Sequence, residues 1–378
     1  MIPRITDIEM ILESIGIIRV SMPLVYPFRT ACGDDDTNES ILVRFASGNS
    51  YGWGESASGK EPTYSPECGI TQFVLSRDII APLLLGQNIS SGQELQKRLS
   101  GIKGNYFAKA AFDLAWWDLY ARMLGKPLWM VLGGRKRTVD AGADLGIMGN
   151  LDQLLEAIGT AVKQEYKRIK LKCRPGWDLG MVDTVRKVYP ETIMHIDCNG
   201  AYSLQDMDMF KKIDGYNLAM IEQPLGHDDL IDHAELQAHI KTPICLDESI
   251  TSPENARKAI QVKACRWINI KPGRVGGITH SLAIHNFCMK SGIPCWIGGM
   301  LESAVGASHC LALATLPNIR YPSDIFPSER FYGRDLAVPP MQHSAPSQFK
   351  ASMIPGIGVE PDTEMLIECA RDRIVLSV

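Results

Sequence analysis

The chain has little excess charge and no long apolar run. Its 378 residues carry a formal net charge of −4, from 39 Lys and Arg against 43 Asp and Glu. A balance this even gives no reason to expect a nucleic-acid partner or binding to an anionic membrane surface. No stretch of apolar residues is long enough to span a bilayer. We therefore expect an ordinary globular protein that binds neither nucleic acid nor membrane.

Cysteine pairs of the CxxC type are also absent. The sequence has 10 cysteines, several of them inside apolar, strand-like runs such as TPICLDES around Cys245 and IPCWIGG around Cys295. Free, buried thiols of this kind are typical of proteins in a reducing compartment. The sequence therefore predicts a cytoplasmic localisation.

No GxGxxG motif follows an early strand, which weakens the hypothesis of a dinucleotide-binding sheet. A different order of elements is present instead. Short strand-like runs recur from Lys172 onward and end at intervals of 24 to 26 residues, up to Ile297, with helical stretches between them. Before them, VDAGADLG and the helical LDQLLEAIGTAVKQ supply a first unit. Strands that alternate with helices at this spacing indicate parallel βαβ units. Seven or eight such units predict a closed β/α barrel rather than an open doubly wound sheet.

The region before residue 138 has a different pattern. The runs IIRVSMPL, ILVRFASG and SYGWGES read as short strands, and a helical region follows from about residue 66 to residue 125. Strands followed by helices predict an α+β domain. The tail after Pro322 is rich in Pro, Ser and Gly, and we expect it to return to that domain. We therefore divide the chain into an N-terminal domain (1–135), a barrel (136–322) and a C-terminal segment (323–378).

Five charged residues fall at the ends of five successive strand-like runs: Lys172, Asp197, Glu222, Asp247 and Lys271. Active sites of β/α barrels are built at the carboxyl ends of the strands. One such carboxylate alone could be only a helix cap, but five charges in register favour a site. Three converging carboxylates need a cation. Oxygen ligands without His or Cys suit Mg²⁺ and disfavour zinc.

The stretch RIKLKCRPGWD contains two lysines, Lys170 and Lys172, that share one side of a strand. A lysine in water has a pKa of about 10.4, and a neighbouring cation lowers it toward about 7–8. Lys170 is placed to do this for Lys172, and Arg274 and the metal are placed to do it for Lys271. Two acid/base groups facing each other across a divalent cation predict removal of a proton next to a carboxylate.

Several motifs together resemble the enolase superfamily in its muconate-lactonizing branch. The sequence around RIKLK–PGWD, with SERFY at 328–332, is most similar to the o-succinylbenzoate synthase / N-succinylamino acid racemase family. The resemblance covers nearly the whole chain and implies a (β/α)7β modified TIM barrel with an α+β capping domain formed by the N-terminal region and the C-terminal tail. The motifs are KLK at 170–172, HIDCN, IEQPL, CLDES, INIKPGRVGG, GGMLES, PFRT at 27–30, GWGE at 52–55 and YSPE at 64–67.

The resemblance also implies roles for individual residues. Lys172 and Lys271 would be the acid/base catalysts, and Lys170 would support Lys172 and touch the substrate carboxylate. The cation would be Mg²⁺, with Mn²⁺ as a possible substitute. The implied metal ligands are Asp197, Glu222 and Asp247. The implied substrate-binding or supporting residues are Asn199, Glu248, Arg274, Phe28 in a capping loop that runs to Asp36, and Gly298, Met300 and Glu302 in GGMLES.

The resemblance implies a small-molecule carboxylate as substrate and a homo-oligomer, either a dimer or an octamer. Dehydration to o-succinylbenzoate and racemisation of N-succinylamino acids are the leading reactions. A muconate-type cycloisomerase, or another isomerase of the same branch, is the alternative. A non-catalytic relative would be expected to have lost some of the five charges, and all five are present.

Three features set this sequence apart within the superfamily. The run from Asp34 to Asp36 makes the capping loop acidic, which leaves open how a succinyl carboxylate would approach it. The seventh strand, IPCWIGG, has no histidine, and Asp324 has no second aspartate in a DxD pair. These absences disfavour a mandelate racemase and a dipeptide epimerase. His195 should point to the same side as Asp197, one layer deeper, either as a supporting residue or as a core histidine.

Overall fold

The structure of the chain is a computed structural model that describes residues 9–31 and 33–378. Two of the sequence-based predictions lie partly outside this range. Residues 1–8 of the predicted N-terminal domain lie outside the described residues, as does Cys32 in the predicted capping loop. The described residues form an antiparallel sheet with helices and a parallel sheet with helices.

The first three strands and the last are long, with 8 to 16 residues, and the strands between them have two to four residues. In chain order they are β1 (Ser14–Arg29), β2 (Asp34–Ser47), β3 (Ser50–Ala57), β4 (Thr138–Asp140), β5 (Ala143–Leu145), β6 (Ile169–Lys172), β7 (Met194–Asp197), β8 (Ile221–Glu222), β9 (Ile244–Leu246), β10 (Trp267–Ile270), β11 (Cys295–Ile297), β12 (Ala337–Val338), β13 (Gln348–Lys350), β14 (Glu360–Pro361) and β15 (Ala370–Ser377).

The α-helices connect these strands. In chain order they are α1 (Gly69–Leu75), α2 (Ala81–Leu84), α3 (Gly92–Leu99), α4 (Tyr106–Met123), α5 (Leu128–Val131), α6 (Leu151–Lys163), α7 (Leu179–Val188), α8 (Met207–Ile213), α9 (Ile231–His239), α10 (Pro253–Gln261), α11 (Pro272–Val275), α12 (Ile278–Lys290), α13 (Ala304–Ala314) and α14 (Thr363–Cys369). A π-helical turn lies at Ser76–Ile80, and short 3₁₀ turns lie at Leu204–Asp206, Asp214–Tyr216 and Ser328–Arg330.

The antiparallel sheet is the core of the cap. Its strand order is β15–β1–β2–β3, so the C-terminal strand returns to the N-terminal sheet, as the sequence predicts. Helix α4 packs against β3 so closely that glycine is required there. A Cβ on Gly52 would lie 2.2 Å from the Leu119 nitrogen, and one on Gly54 would lie 2.2 Å from the Ala111 oxygen. The two glycines of the GWGE motif therefore allow direct contact between the backbones of β3 and α4.

The parallel sheet forms the barrel. Its seven strands follow one another in space as they do along the chain, from β5 to β11. Residues 319–324 close it, because Ile319 forms a parallel bridge with Cys295 on β11 and Ser323 forms one with Ala141 ahead of β5. Seven strands and this eighth segment confirm the (β/α)7β fold with its cap. The three-part division stays a prediction, and its boundary at residue 322 falls inside the closing segment.

The cap lies over the carboxyl ends of the barrel strands. Asn38 on β2 donates a hydrogen bond to the Leu301 carbonyl at 2.6 Å, and the Val25 amide of β1 donates to the Phe331 carbonyl at 2.9 Å. The hairpin of β1 and β2 is thereby fixed above the loops that follow the last strands. Within residues 9–31 and 33–378, none of the helices has the length and apolar character needed to cross a membrane.

Candidate active site

The register of the parallel strands aligns the charged residues at one end of the barrel. Lys172 pairs with Asp197 across β6 and β7, and Asp197 pairs with Glu222 across β7 and β8. Asp247 and Lys271 come one residue after the ends of β9 and β10. All five side chains are buried. The five strand-end charges that the sequence predicts therefore share one end of the barrel.

Lys172 is bound to the first of the carboxylates. Its Nζ donates to Asp197 Oδ2 at 2.6 Å and to Asn199 Oδ1 at 3.3 Å. Asn199 has a left-handed backbone, with φ at 43°, a conformation that asparagine tolerates better than most residues. Its own amide donates to Asp197 Oδ1, and its side chain donates to Glu248 Oε1 at 2.9 Å. Asn199 therefore joins Lys172, Asp197 and Glu248 into one network.

Lys271 is bound to the third carboxylate on the other side of the barrel. Its Nζ lies 2.9 Å from Asp247 Oδ2 and donates to the Tyr64 hydroxyl at 3.0 Å. Arg274 donates to the other oxygen of Asp247 and, at 3.2 Å, to the Tyr64 hydroxyl. Tyr64 belongs to the cap, so the cap completes this side of the site. Arg274 acts here as the partner of Asp247 and not as part of the cavity wall.

Glu222 lies between these two groups; its hydrogen-bond partners are neutral, and Lys170 Nζ lies 4.0 Å from its Oε2. Asn269 donates to Glu222 Oε1 at 2.7 Å, and His195 Nε2 lies 3.2 Å from Glu222 Oε2. Burial lowers the pKa of His195 well below its usual range, and Arg168 and Lys170 lower it further. His195 is therefore a neutral imidazole one layer below the mouth, in contact with a predicted metal ligand.

Burial and neighbouring charges shift the pKa values of the carboxylates at the mouth. Burial raises the pKa of Glu222 well above its usual range, and Asp197 and Asp247 raise it further. Burial raises the pKa of Glu248 to about 8, and Asp247 and Asp197 contribute to this rise. Arg274 and Lys271 outweigh burial at Asp247 and lower its pKa. Burial and the neighbouring carboxylates therefore disfavour ionisation of Glu222 and Glu248, whereas Arg274 and Lys271 favour it at Asp247.

The donor set suits a hard divalent cation in its chemistry, although the carboxylates are bound to the protein's own cations. Within residues 9–31 and 33–378, no group of three or more His, Cys, Asp or Glu side chains is arranged to hold a metal ion. Asp197, Glu222 and Asp247 nevertheless offer only oxygen atoms, which Mg²⁺ prefers. Glu248 Oε2 is buried beside them and has no hydrogen-bond partner among these residues.

The pKa of Lys172 differs from the sequence-based expectation. Burial and Lys170 lower it, and Lys170 does so as expected, but Asp197 and Asp144 outweigh both effects and raise the pKa. At Lys271, Asp247 and Tyr64 likewise outweigh burial and raise the pKa. Among the protein's own groups, the carboxylate that each lysine touches therefore decides which way its pKa moves.

Lys170 is held by a deeper network. Its Nζ donates to Asp324 and lies 3.1 Å from Asp144 Oδ2 and 3.7 Å from Asp197 Oδ2. Arg168 binds the other oxygen of Asp324, donates to the Ala143 carbonyl at 3.0 Å, and is fully buried. The network explains why two lysines of β6 point inward: they face carboxylates of three neighbouring strands and of the closing segment.

One cavity opens between the cap and the strand ends. Its walls include Lys170, Lys172 and Lys271, with Phe28 and Asp35 from the cap. Lys172 Nζ lies 5.8 Å from the centre of the Phe28 ring. The cavity therefore brings the three lysines and the capping hairpin together.

The GGMLES segment contributes only part of the wall that we expected. Met300 lines the cavity, together with Gly299 and Leu301. Gly298 lies behind the wall, where a Cβ would be 2.4 Å from Asn269 Oδ1. Glu302 is turned inward, accepts the Met300 amide at 2.8 Å, and has a pKa raised to about 7 by burial.

The acidic run of the capping hairpin lies at the entrance. Arg29 binds Asp34 at 3.1 Å, so one basic residue does accompany this run. Asp35 lines the cavity with Glu61. Burial raises the pKa of Asp35, and Asp36 and Glu61 raise it further.

Four residues of the site were missed from the sequence: Tyr64, Asp144, Arg168 and Asp324. Tyr64 belongs to the YSPE motif, but nothing in that motif indicates a contact with Lys271. Asp324 stands alone in PSDIFPSE, with no second aspartate to indicate a site. Asp144 interrupts the strand-like VDAGADLG next to a strand end, and the reasoning applied to Lys172 would have found it. Arg168 gave no usable signal, because its partner is 156 residues away.

The fold and the site define a barrel enzyme with lysines on opposite sides of its mouth, and comparison with known families agrees that the chain is an enzyme of this kind. Residues 13–133 match the N-terminal domain of mandelate racemase / muconate lactonizing enzyme, and residues 153–365 match the enolase C-terminal domain-like family. The chain belongs to the mandelate racemase / muconate lactonizing enzyme family, within the enolase superfamily.

Relatives with more specific names cover nearly the whole chain. It is 42% identical to an o-succinylbenzoate synthase of Geobacillus stearothermophilus, over 93% of this chain and 94% of that protein. It is 40% identical to an N-succinylamino acid racemase of Thermus thermophilus, over 84% and 86% of the two chains. The solved structure of an enolase superfamily member from Listeria innocua superposes with a TM-score of 0.93 at 34% identity, covering 97% of this chain and 99% of the other.

Proposed function

We propose that this protein removes a proton from the carbon next to a carboxylate, with Lys172 and Lys271 on opposite faces of that carbon. The observation that carries the proposal is their placement in one cavity. They lie at the ends of β6 and β10, four strands apart in the sheet, and thus on opposite sides of an eight-stranded barrel. Each side chain is only 6% exposed. A carbon held between them would face one ammonium group on each side.

Lys170 is the group best suited to bind the substrate carboxylate. It lines the same cavity but is fixed by Asp324 and Asp144. A lysine held by two carboxylates keeps its proton, so it supplies a fixed positive charge and not a mobile proton. Lys170, bound by Asp144 and Asp324, would therefore bind the substrate carboxylate, and Lys172, bound by Asp197, would transfer the proton.

We propose that Asp197, Glu222 and Asp247 hold one Mg²⁺, or Mn²⁺ in its place. When bound, the cation would stabilise the negative charge that develops on the substrate carboxylate. Asn199 and Glu248 would orient this ligand set, supported by their contacts with Asp197 and with each other. Lys172 and Lys271 would then lose part of their attraction to Asp197 and Asp247, which lowers the pKa of both lysines toward the range of a general base.

The reactions that this arrangement supports are racemisation of N-succinylamino acids and dehydration to o-succinylbenzoate. The named relatives support both, since they carry one name or the other at 36–42% identity. The two opposed lysines favour racemisation as the reaction to test first, because a racemase needs a proton acceptor on one face and a donor on the other. A dehydration in which both groups leave from one face can use Lys172 alone.

Localisation and assembly also belong to the proposal. The structure describes nine of the cysteines, all except Cys32. These nine are buried and free, which supports a reducing compartment such as the cytoplasm. A dimer or an octamer of this chain stays a prediction, to be checked by light scattering in solution.

The proposed function is tested by deuterium exchange. The protein is incubated in D₂O with Mg²⁺ and either enantiomer of several N-succinylamino acids, or with the precursor of o-succinylbenzoate. Mass spectrometry should show deuterium at the α-carbon of both enantiomers, and polarimetry should show loss of optical rotation. The precursor should lose water and form o-succinylbenzoate. An enzyme that neither exchanges the α-proton nor forms the product contradicts the proposal.

Metal removal gives a separate prediction. EDTA should abolish exchange, because three carboxylates at the mouth would repel the substrate carboxylate. Added Mg²⁺ or Mn²⁺ should restore it. Asp247→Asn should weaken metal binding measured by calorimetry, while Asp228→Asn, at an exposed position, should bind as the parent does. Full activity of the chelated enzyme would show that the carboxylates serve only as ion-pair partners.

A further inference from the structure

Asp144 lines the cavity and has one oxygen, Oδ1, that is buried without a hydrogen-bond partner among the described residues. It lies on β5, directly beside Lys170 of β6 in the strand register, and is 5% exposed. Its Oδ2 lies 3.1 Å from Lys170 Nζ. Its Oδ1 is buried and has no hydrogen-bond partner among residues 9–31 and 33–378. Asp144 lines the same cavity as Lys170, Lys172 and Lys271.

This oxygen differs from those of Asp324, the other carboxylate that binds Lys170. One oxygen of Asp324 binds Lys170 and the other binds Arg168. A carboxylate can only accept hydrogen bonds, and a buried acceptor without a donor destabilises the folded protein. Of Asp144 and Asp324, only Asp144, which lines the cavity, therefore has an oxygen without a donor among the described residues.

We propose that Asp144 Oδ1 accepts a hydrogen bond from the amide N–H of an N-acylamino acid, and that Asp144 therefore selects 2-acylamino acids over substrates without a donor at that position. This inference rests on the proposed function. Lys170 would bind the carboxylate of the substrate, and Asp144 is the immediate neighbour of Lys170. The amide nitrogen is bonded to the same α-carbon as that carboxylate, so its N–H is the donor nearest to Asp144.

The charge of Asp144 explains the choice of donor. A carboxylate oxygen at this position repels an anionic group or a carbonyl and attracts an N–H. An ester analogue, in which oxygen replaces the amide nitrogen, keeps the acyl group and the carboxylate but presents a second acceptor to Asp144. The pair of substrates therefore differs at the one atom that the inference concerns.

The experiment measures kcat/KM for deuterium exchange of N-succinyl and O-succinyl substrates with the same side chain, in the parent and in Asp144→Asn. The Asn side chain would turn its carbonyl toward Lys170 and its amide donor toward the cavity. The preference for the amide over the ester should then fall by about 10- to 100-fold, the range of a hydrogen bond to a charged acceptor.

The matched control is Asp324→Asn, which removes a negative charge from the same lysine but on the side away from the cavity. It should change both substrates alike and leave the amide-to-ester ratio within about threefold of the parent. If Asp144→Asn does not fold, Asp144→Ala removes the acceptor without adding a donor and gives the same comparison.

The outcomes separate this inference from the proposed function. A parent enzyme that exchanges neither substrate and forms no o-succinylbenzoate contradicts the proposed function, whereas one that forms o-succinylbenzoate but exchanges neither substrate overturns this inference alone. A parent that exchanges the amide, with an Asp144→Asn variant that slows amide and ester by the same factor, overturns the inference and leaves the function standing.

Discussion

The inside of the barrel has two layers of charge that differ in how fully they are satisfied. In the deep layer, Asp324 binds both Arg168 and Lys170, and Arg168 also lies 5.3 Å from the centre of the Trp296 ring. At the mouth, Asp144 and Glu248 each keep one buried oxygen without a hydrogen-bond partner in the described part of the chain. The deep layer therefore satisfies its own charges, whereas Asp144 and Glu248 each leave an acceptor available to a ligand or water.

The difference assigns separate tasks to charges of the same type. Buried ion pairs contribute little net stability when intact, but breaking one leaves a charge stranded in a medium of low dielectric. The deep layer should therefore control stability and the position of Lys170. Lys172 lines the cavity, and we expect its loss to affect folding less than loss of Asp324, because Lys170 still lies 3.7 Å from the Asp197 carboxylate. Substitutions in the two layers should accordingly separate activity from stability.

The largest effect is expected at the mouth. Lys172→Ala should lower kcat for exchange by about 10³-fold or more, because loss of a positioned general base typically costs 10² to 10⁴, while the far-ultraviolet circular dichroism stays that of the parent. Lys167→Ala, the same change at an exposed position of the same segment, is the control and should keep full activity. A Lys172→Ala enzyme within about tenfold of the parent would mean that both inward lysines are structural.

The next effect belongs to the deep layer. Asp324→Ala should lower the free energy of unfolding by about 3–5 kcal/mol, because it leaves Arg168 buried without its carboxylate partner. Urea denaturation followed by tryptophan fluorescence measures it, with Asp228→Ala at an exposed position as the control. A loss below about 1 kcal/mol would show that water or other groups satisfy Arg168 and that the deep layer is not rigid.

Most charges of the mouth could be predicted from the sequence, apart from Asp144, and the Arg168–Asp324 pair of the deep layer could not. Strand ends recur at a regular interval in a β/α barrel, so Lys172 and Asp197 could be placed side by side from their positions alone. Arg168 and Asp324 meet only because residues 319–324 close the barrel, and a contact across 156 residues leaves no local pattern.

The same limit affected the expected pKa of Lys172. Lys170, two residues away, was visible in the sequence, and its effect has the expected sign. The charges of Asp197, whose Oδ2 lies 2.6 Å from Lys172 Nζ, and of Asp144 raise the pKa of Lys172 and reverse the net direction. The position of Gly298 was hard to predict for a similar reason. Sequence order alone does not show which residue of GGMLES packs against Asn269 and which residues line the cavity.

The smallest effect comes from an ion pair at the surface, which shows how much burial matters. Glu94 accepts from the Ser90 hydroxyl at 2.7 Å and from Arg98 at 2.8 Å. Ser90 and Arg98 lower the pKa of Glu94 to about 2. The ionised form is therefore favoured in the folded state, and its contribution is complete above the ordinary pKa of about 4.3 and lost as the pH falls toward 2.

Glu94→Gln should accordingly cost only about 0.5–1 kcal/mol at pH 7, the usual range for an exposed pair. The difference between variant and parent, measured by urea denaturation, should shrink at pH 3. An undiminished difference at the lower pH would assign the effect to packing of α3 and not to charge.

The central claim is that Lys172 and Lys271 act on opposite faces of one carbon, and exchange by the Lys271→Ala variant tests it most directly. Each enantiomer of an N-succinylamino acid that the parent racemises is incubated with the variant in D₂O. The account predicts that racemisation falls below detection, while one enantiomer still gains deuterium at the α-carbon through Lys172 and the other does not. Equal slowing of exchange in both enantiomers would contradict it, since neither lysine would then be tied to one face.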